Sequence, residues 1–192
     1  MSVIGHNNGP AIGQGRGWRT HCWRAARREL LPHMPLNVVR RRVKRAAELG
    51  LAYPAYARIR ATTGQDILAF LYSTNALRLI REGDGLPDDR AAFLAAQTGC
   101  TTLALSHMPL HPDAVARRLA LASGSSPTVR RAPPADARWA QVRAAVRAPA
   151  GARKLPADAV LVIGDTALER DWCAAAAMAG YLSADQVFTQ PT

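Results

Sequence analysis

Ser106, His107 and Asp165 supply a hydroxyl, an imidazole and a carboxylate, the ingredients of a nucleophile, its base and an orienting acid. Neighbouring Ser and His residues rarely point at one another, and no GxSxG turn surrounds Ser106. Asp165 alone would suit a metal, a ribose or a substrate hydroxyl. Its structural rival is a helix start: Thr166-Ala-Leu-Glu169 has the spacing of a capping box, and acidic residues favour a helix N-terminus. His107 and His111 are spaced i, i+4, as helical zinc ligands can be. Pro109 and Pro112 oppose a regular helix across that spacing, and no third ligand lies nearby. No metal site is expected, and no motif names a cofactor.

Three short apolar runs would carry these residues. ILAFLYS (67–73), TTLALS (101–106) and AVLVIG (159–164) are rich in branched or aromatic side chains and bounded by polar or turn residues, as buried strands are. PTVRRA (127–132) reads as a weaker edge strand. Residues 67–80 also suit one helix, through Ile67, Phe70, Leu71, Leu77 and Ile80, although strand is the preferred reading. Helical patterns fall at about 87–98, 112–123 and 135–148, with a last helix at 166–180. In that helix Trp172 forms a core stripe with Leu168, Ala175, Ala176 and Ala179. The Pro- and Gly-rich stretches 123–135 and 148–157 read as loops. Strands alternating with helices predict an α/β fold, with a mostly parallel sheet in three layers over residues 64–192. In such a sheet ligands bind at the carboxyl ends of the strands, here Ser73, Thr74 and Asn75, then Ser106 and His107, then Asp165 and Thr166.

The first third of the chain is different. Residues 1–61 hold twelve basic side chains against Glu29 and Glu48, a net +10, whereas residues 62–192 are near neutral at +1. Residues 1–17, rich in Gly and Asn, read as a flexible tail; their glycines lack the strand and partner residues of a phosphate loop. Residues 18–63 read as a basic helical module. Its first helix, 18–31, has Trp23, Ala26 and Leu30 on one stripe and holds the neighbours His21 and Cys22. A second helix, from about Leu36 to Gly50, places Leu36, Val39, Val43, Ala46, Ala47 and Gly50 on one face. Arg40, Arg41, Arg42, Lys44 and Arg45 spread over the other side. A third helix starts near Pro54 and ends near Gly64.

RVKRAAELGLAYPAYARIRA (42–61) resembles the helix-turn-helix unit of DNA-binding proteins. Ala46 takes the small position at the helix crossing, Gly50 the tight turn, and Leu51 and Ile59 the apolar positions that lock the helices. Tyr56 departs from the pattern, being bulky where a smaller β-branched residue is usual. The resemblance implies that the helix from Pro54 to Ala61 enters the major groove, with Arg58 and Arg60 nearest bases or phosphates. Two ordinary helices joined at a glycine give the same sequence. The basic cluster suits a polyanion independently of the motif, DNA or RNA alike. It suits as well a solvated face, one docked on Asp84, Asp88 and Asp89, or an acidic protein partner.

Arg outnumbers Lys by 23 to 2, more than recognition needs, so the position of the charge carries more weight than the choice of Arg. Cys22, Cys100 and Cys173 form no CxxC pair, which argues against a disulfide framework and for a reducing cytoplasm. No apolar stretch reaches the ~18 residues of a membrane span. The leading expectation is a nucleic-acid-binding protein whose α/β body senses a ligand or mediates assembly. A small α/β enzyme of nucleotide or phosphoester chemistry, or an assembly protein on an acidic partner, remains open.

Overall fold

The protein is described here from a computed structural model covering residues 34–188. The expected tail 1–17, the helix at 18–31, His21 and Cys22 lie outside the described residues. The chain divides into two compact units, Met1–Arg40 and Arg41–Thr192.

α1 (Leu36–Glu48) and α2 (Tyr53–Thr63) meet at Gly50, whose φ of +66° is the left-handed conformation that glycine adopts freely. A Cβ there would sit 2.7 Å from the Phe93 ring, so two constraints coincide at one residue. Pro54 lies in the first turn of α2, where its missing N–H costs little, and Gly64 closes the helix in the left-handed conformation. After α2 come β1 (Ala69–Ser73), α3 (Asp88–Ala96), β2 (Thr101–Ser106), α4 (Pro112–Ser123), β3 (Thr128–Arg131) and α5 (Trp139–Ala152). A 3-10 turn at Ala157–Ala159 leads into β4 (Val160–Gly164), α6 (Ala167–Ala176), β5 (Gly180–Ser183) and α7 (Ala184–Phe188).

The five strands pair in parallel in the order β3-β2-β1-β4-β5. β1 and β4 are buried along their whole length, which is why they read as continuous apolar runs. Alternate side chains serve opposite faces. On one face Phe70, Tyr72, Ala104, Leu161 and Ile163 pack with Leu94 of α3, Val115 and Leu119 of α4, and Val187 and Phe188 of α7. On the other, Leu71, Leu103, Leu105, Val160 and Val162 meet Val142 and Val146 of α5 and Trp172 and Ala175 of α6. The result is the three-layer α/β fold that the alternation of elements predicts. PTVRRA forms the expected edge strand.

Four sequence expectations need correction. The alanine-rich run after Trp172 has high helix propensity, yet α6 stops at Ala176, with Ala177 left-handed at φ +50°. Gly180–Ser183 then pairs with Leu161–Gly164 as a fifth strand, so pairing overrides propensity. α5 runs on through Pro149 to Ala152 where a loop is expected, because the apolar surface of Pro149 and Ala150 is buried there. On α1 the stripe is not buried along its length: Leu36 and Val43 are 64% and 45% exposed and Val39 is half-buried. Burial falls instead on Ala46 and Leu49 at the C-terminal end.

Residues 41–63, which the sequence groups with the basic module, share the core of the α/β body. Ala46, Leu49, Leu51, Tyr56 and Ile59 belong to the same buried cluster as Phe70, Tyr72 and Leu161.

Candidate functional site

Because all five strands are parallel, their carboxyl ends share one edge of the sheet. The strand order reverses between β1 and β4, and the crevice outside such a reversal is where ligands bind in open α/β sheets. Thr74 and Asn75 follow β1 there, His107 follows β2, and Asp165 and Thr166 follow β4.

The group that joins them is Glu169, fully buried in the first turn of α6. Its Oε2 accepts from the backbone N–H groups of Asp165 and Thr166, at 2.6 and 2.9 Å. Its Oε1 accepts from the Asn75 side-chain amide at 2.9 Å and faces His107 Nε2 at 3.6 Å. Thr166 Oγ1 accepts from the Glu169 N–H and completes the capping box. Gly164 makes room for this carboxylate: a Cβ there would lie 2.8 Å from Glu169 Cβ and 2.8 Å from the Tyr181 ring. Helix N-termini in doubly wound folds hold phosphates on free N–H groups. In this chain Glu169 occupies two of those donors itself.

His107 is held on three sides. Thr74 Oγ1 accepts from the His107 backbone N–H at 3.1 Å and lies 3.1 Å from Nδ1. The Thr74 hydroxyl can donate to Nδ1 or accept from it, according to the imidazole tautomer. The ring also stacks on Trp172, with centroids 5.3 Å apart and planes 18° apart. Burial pulls the imidazole below its usual 6.5, and the Glu169 charge opposes that shift. Burial thus favours the uncharged ring, with Nδ1 3.1 Å from Thr74 Oγ1 and Nε2 3.6 Å from Glu169 Oε1.

Beside His107 opens a cavity of roughly 540 Å³. Its wall is apolar, from Met108, Ala132, Pro133, Pro134 and Leu168 among others, and among the described residues Arg131 supplies its one full charge. Arg131 Nη1 donates to the Leu110 carbonyl at 2.5 Å, and Nε and Nη2 have no partner among the described residues. The Ser106 hydroxyl donates to the same carbonyl at 2.8 Å. The loop after β2 is thus pinned from β2 and β3 together.

Ser106, His107 and Asp165, named from the sequence as separate candidates, do not form one hydrogen-bonded group. Ser106 is fully buried and committed to Leu110, Asp165 is exposed, and the carboxylate that meets His107 is Glu169. His111 lies apart as the N-cap of α4, accepting from the Asp113 N–H. Among the described residues no group of three or more His, Cys, Asp or Glu side chains is placed to hold a metal.

The basic residues sort into two groups. Arg45 is tied down: it donates to Asp66 at 3.0 Å, to the Ile67 and Gly99 carbonyls at 3.0 and 2.9 Å, and to Glu48 at 3.3 Å. Arg60 pairs with Asp66 at 3.6 Å, and Tyr56 donates its hydroxyl to the same carboxylate. Arg40, Arg41 and Lys44 are exposed, Arg42 is half-buried, and none has a carboxylate within 4.0 Å among the described residues. Asp84 and Asp89 are engaged locally, with the Ile80 and Arg81 N–H groups and with Arg90, so neither pairs with α1. Arg58, Thr62 and Ala55 of α2 line a groove of roughly 440 Å³ against Gly180, Tyr181 and Leu182 of β5.

The sequence points to Thr74, Asn75 and His107 through the strand-end rule. It identifies Glu169 only as a cap, because nothing local says that Asn75, ninety-four positions away, will reach it. Arg131 and Leu168 have no motif; the register of β3 on β2 brings Arg131 level with Ser106. No family model, curated protein or solved structure matches the chain.

Proposed function

We propose that the α/β body is a small-molecule-binding domain, and that the chain couples it to a nucleic acid through the basic face of α1. The observation that carries the first part is the fixed cluster Thr74–His107–Glu169–Asn75 beside an apolar cavity at the carboxyl ends of β2 and β3, closed by Leu168 of α6. Its size falls within the range of small-molecule pockets, about 300–1,000 Å³. Sensing is favoured over the enzyme reading because the candidate nucleophile, Ser106, is fully buried with its hydroxyl committed to the Leu110 carbonyl. A nucleotide or phosphoester chemistry would also need phosphate donors at the α6 N-terminus, where Glu169 takes two N–H groups.

The test is a fragment screen on the full chain by saturation-transfer NMR, repeated on Leu168→Trp, which fills the mouth of the cavity. Fragments that bind the parent and are lost in the variant support this reading. A chain that binds none, or binds them equally well with the cavity filled, contradicts it.

The nucleic-acid part rests on Arg40, Arg41, Arg42 and Lys44, which lack acidic partners among the described residues. Phosphate contacts of this kind give affinity without sequence preference. The helix-turn-helix reading of α2 is the weaker version, because Arg60 pairs with Asp66 and Arg58 lines the β5 groove. A steep salt dependence for duplex DNA or RNA, flattened by removing the Arg40, Arg41 and Arg42 charges, supports nucleic acid. Feeble binding to both polymers at low salt favours an acidic protein partner instead. The free thiols Cys100 and Cys173 suit a cytoplasmic setting; burial pushes Cys100 up to about 12. Among the described residues no helix is long and apolar enough to cross a membrane.

A further inference from the structure

We infer that the cavity beside His107 takes a small apolar carboxylate, an aryl or short acyl acid, with its carboxylate on the free arm of Arg131. This rests on the small-molecule reading above and adds the ligand's chemical class. Three observations select it. The wall made by Met108, Ala132, Pro133, Pro134 and Leu168 offers few polar groups, so the ligand's body is apolar. Among the described residues of the lining Arg131 carries the one permanent charge and no residue is acidic, while burial favours the uncharged form of His107. Arg131 is held in place by one bond from Nη1 to Leu110, leaving Nε and Nη2 side by side for an anion. That edge of a guanidinium matches the two oxygens of a carboxylate.

A phosphate would fit the same charge but not the same place. It needs several converging donors, commonly the N–H groups of a helix N-terminus. The α6 terminus reaches the wall through Leu168, and the N–H groups of Asp165 and Thr166 at its start already bond Glu169. The Glu169 carboxylate would also repel a dianion brought close to it. A carboxylate at the Arg131 end asks nothing of those donors.

The experiment is isothermal titration calorimetry on the full chain at pH 7 with octanoate, octanamide, benzoate and phenyl phosphate. It is repeated on Arg131→Gln, and on Arg131→Lys, which keeps the charge but loses the paired N–H edge. Octanoate should bind about tenfold or more tighter than octanamide, the size of one charge-assisted contact. Arg131→Gln should erase that preference, and Arg131→Lys should restore only part of it. Equal binding of octanoate and octanamide would overturn the carboxylate assignment, as would tighter binding of phenyl phosphate than of benzoate. Failure of all four probes, with fragments still lost in Leu168→Trp, would overturn the ligand class alone. Failure of every fragment would remove the small-molecule reading and this inference with it.

Discussion

The strand-end cluster and the basic face of α1 are built in opposite ways. At the strand ends Thr74, Asn75, His107 and Glu169 come from three separate connections and are fixed by hydrogen bonds across up to ninety-four positions. On α1, Arg40, Arg41, Arg42 and Lys44 are adjacent in sequence, and no carboxylate fixes them among the described residues. The first arrangement costs chain entropy to assemble and gives geometry; the second needs only a helix and gives field. The proposed shape selection of a small ligand belongs with the first, and the proposed attraction of a polyanion with the second.

The largest expected effect is on the strand-end side. In Glu169→Gln the amide NH₂ must face either two backbone N–H groups or Asn75 and His107, leaving buried donors unmatched. Chemical denaturation should report a loss of about 2–4 kcal/mol. If Glu169→Gln is neutral, the cluster is not the rigid frame described here. Gly50→Ala comes next, because it must hold a φ of +66° while its Cβ presses on Phe93. A cost of about 1–3 kcal/mol is expected from the same measurement.

Within α1 itself the comparison can be sharpened. Arg45→Ala loses contacts to Asp66, Ile67 and Gly99 and should cost about 1–3 kcal/mol of stability. Arg41→Ala should stay within about 0.5 kcal/mol. For nucleic-acid affinity the order should reverse, each lost phosphate contact lowering the log–log salt slope by about 0.9 on duplex DNA. Equal effects of the two substitutions on both properties would dissolve the distinction.

The smallest effect is on pH. The folded state holds His107 below its usual 6.5, so the unfolded chain takes up a proton that the folded chain resists. Stability should therefore fall as the pH drops below about 6.5. His107→Gln should flatten that part of the profile, measured as the denaturation midpoint against pH.

Much of this fold is legible because its strands are buried on both faces. ILAFLYS, TTLALS and AVLVIG need no partner information to be read, and Pro54, Gly64 and Thr166 mark helix ends by local chemistry alone. What is not legible depends on the partner. GYLS becomes a strand only by pairing with Leu161–Gly164, inside an alanine-rich run that favours helix. α1 carries a regular apolar stripe, yet Leu36 and Val43 are exposed, while Ala46 and Leu49 are buried with Tyr56 and Ile59. For the site, the strand-end rule finds Thr74, Asn75 and His107. Glu169 is visible only as a cap, and Arg131 is placed by strand register, which a single sequence does not contain.

The central claim is that the strand-end cavity binds a small molecule and that α1 separately attracts nucleic acid. It is tested most directly by measuring both activities in the same two full-length variants. One is Leu168→Trp; the other has Arg40, Arg41 and Arg42 changed to Gln. The first should lose fragment binding in the NMR screen and keep its affinity for duplex DNA or RNA. The second should do the reverse. Loss of both activities in either variant, or fragment binding that survives a filled cavity, would contradict it.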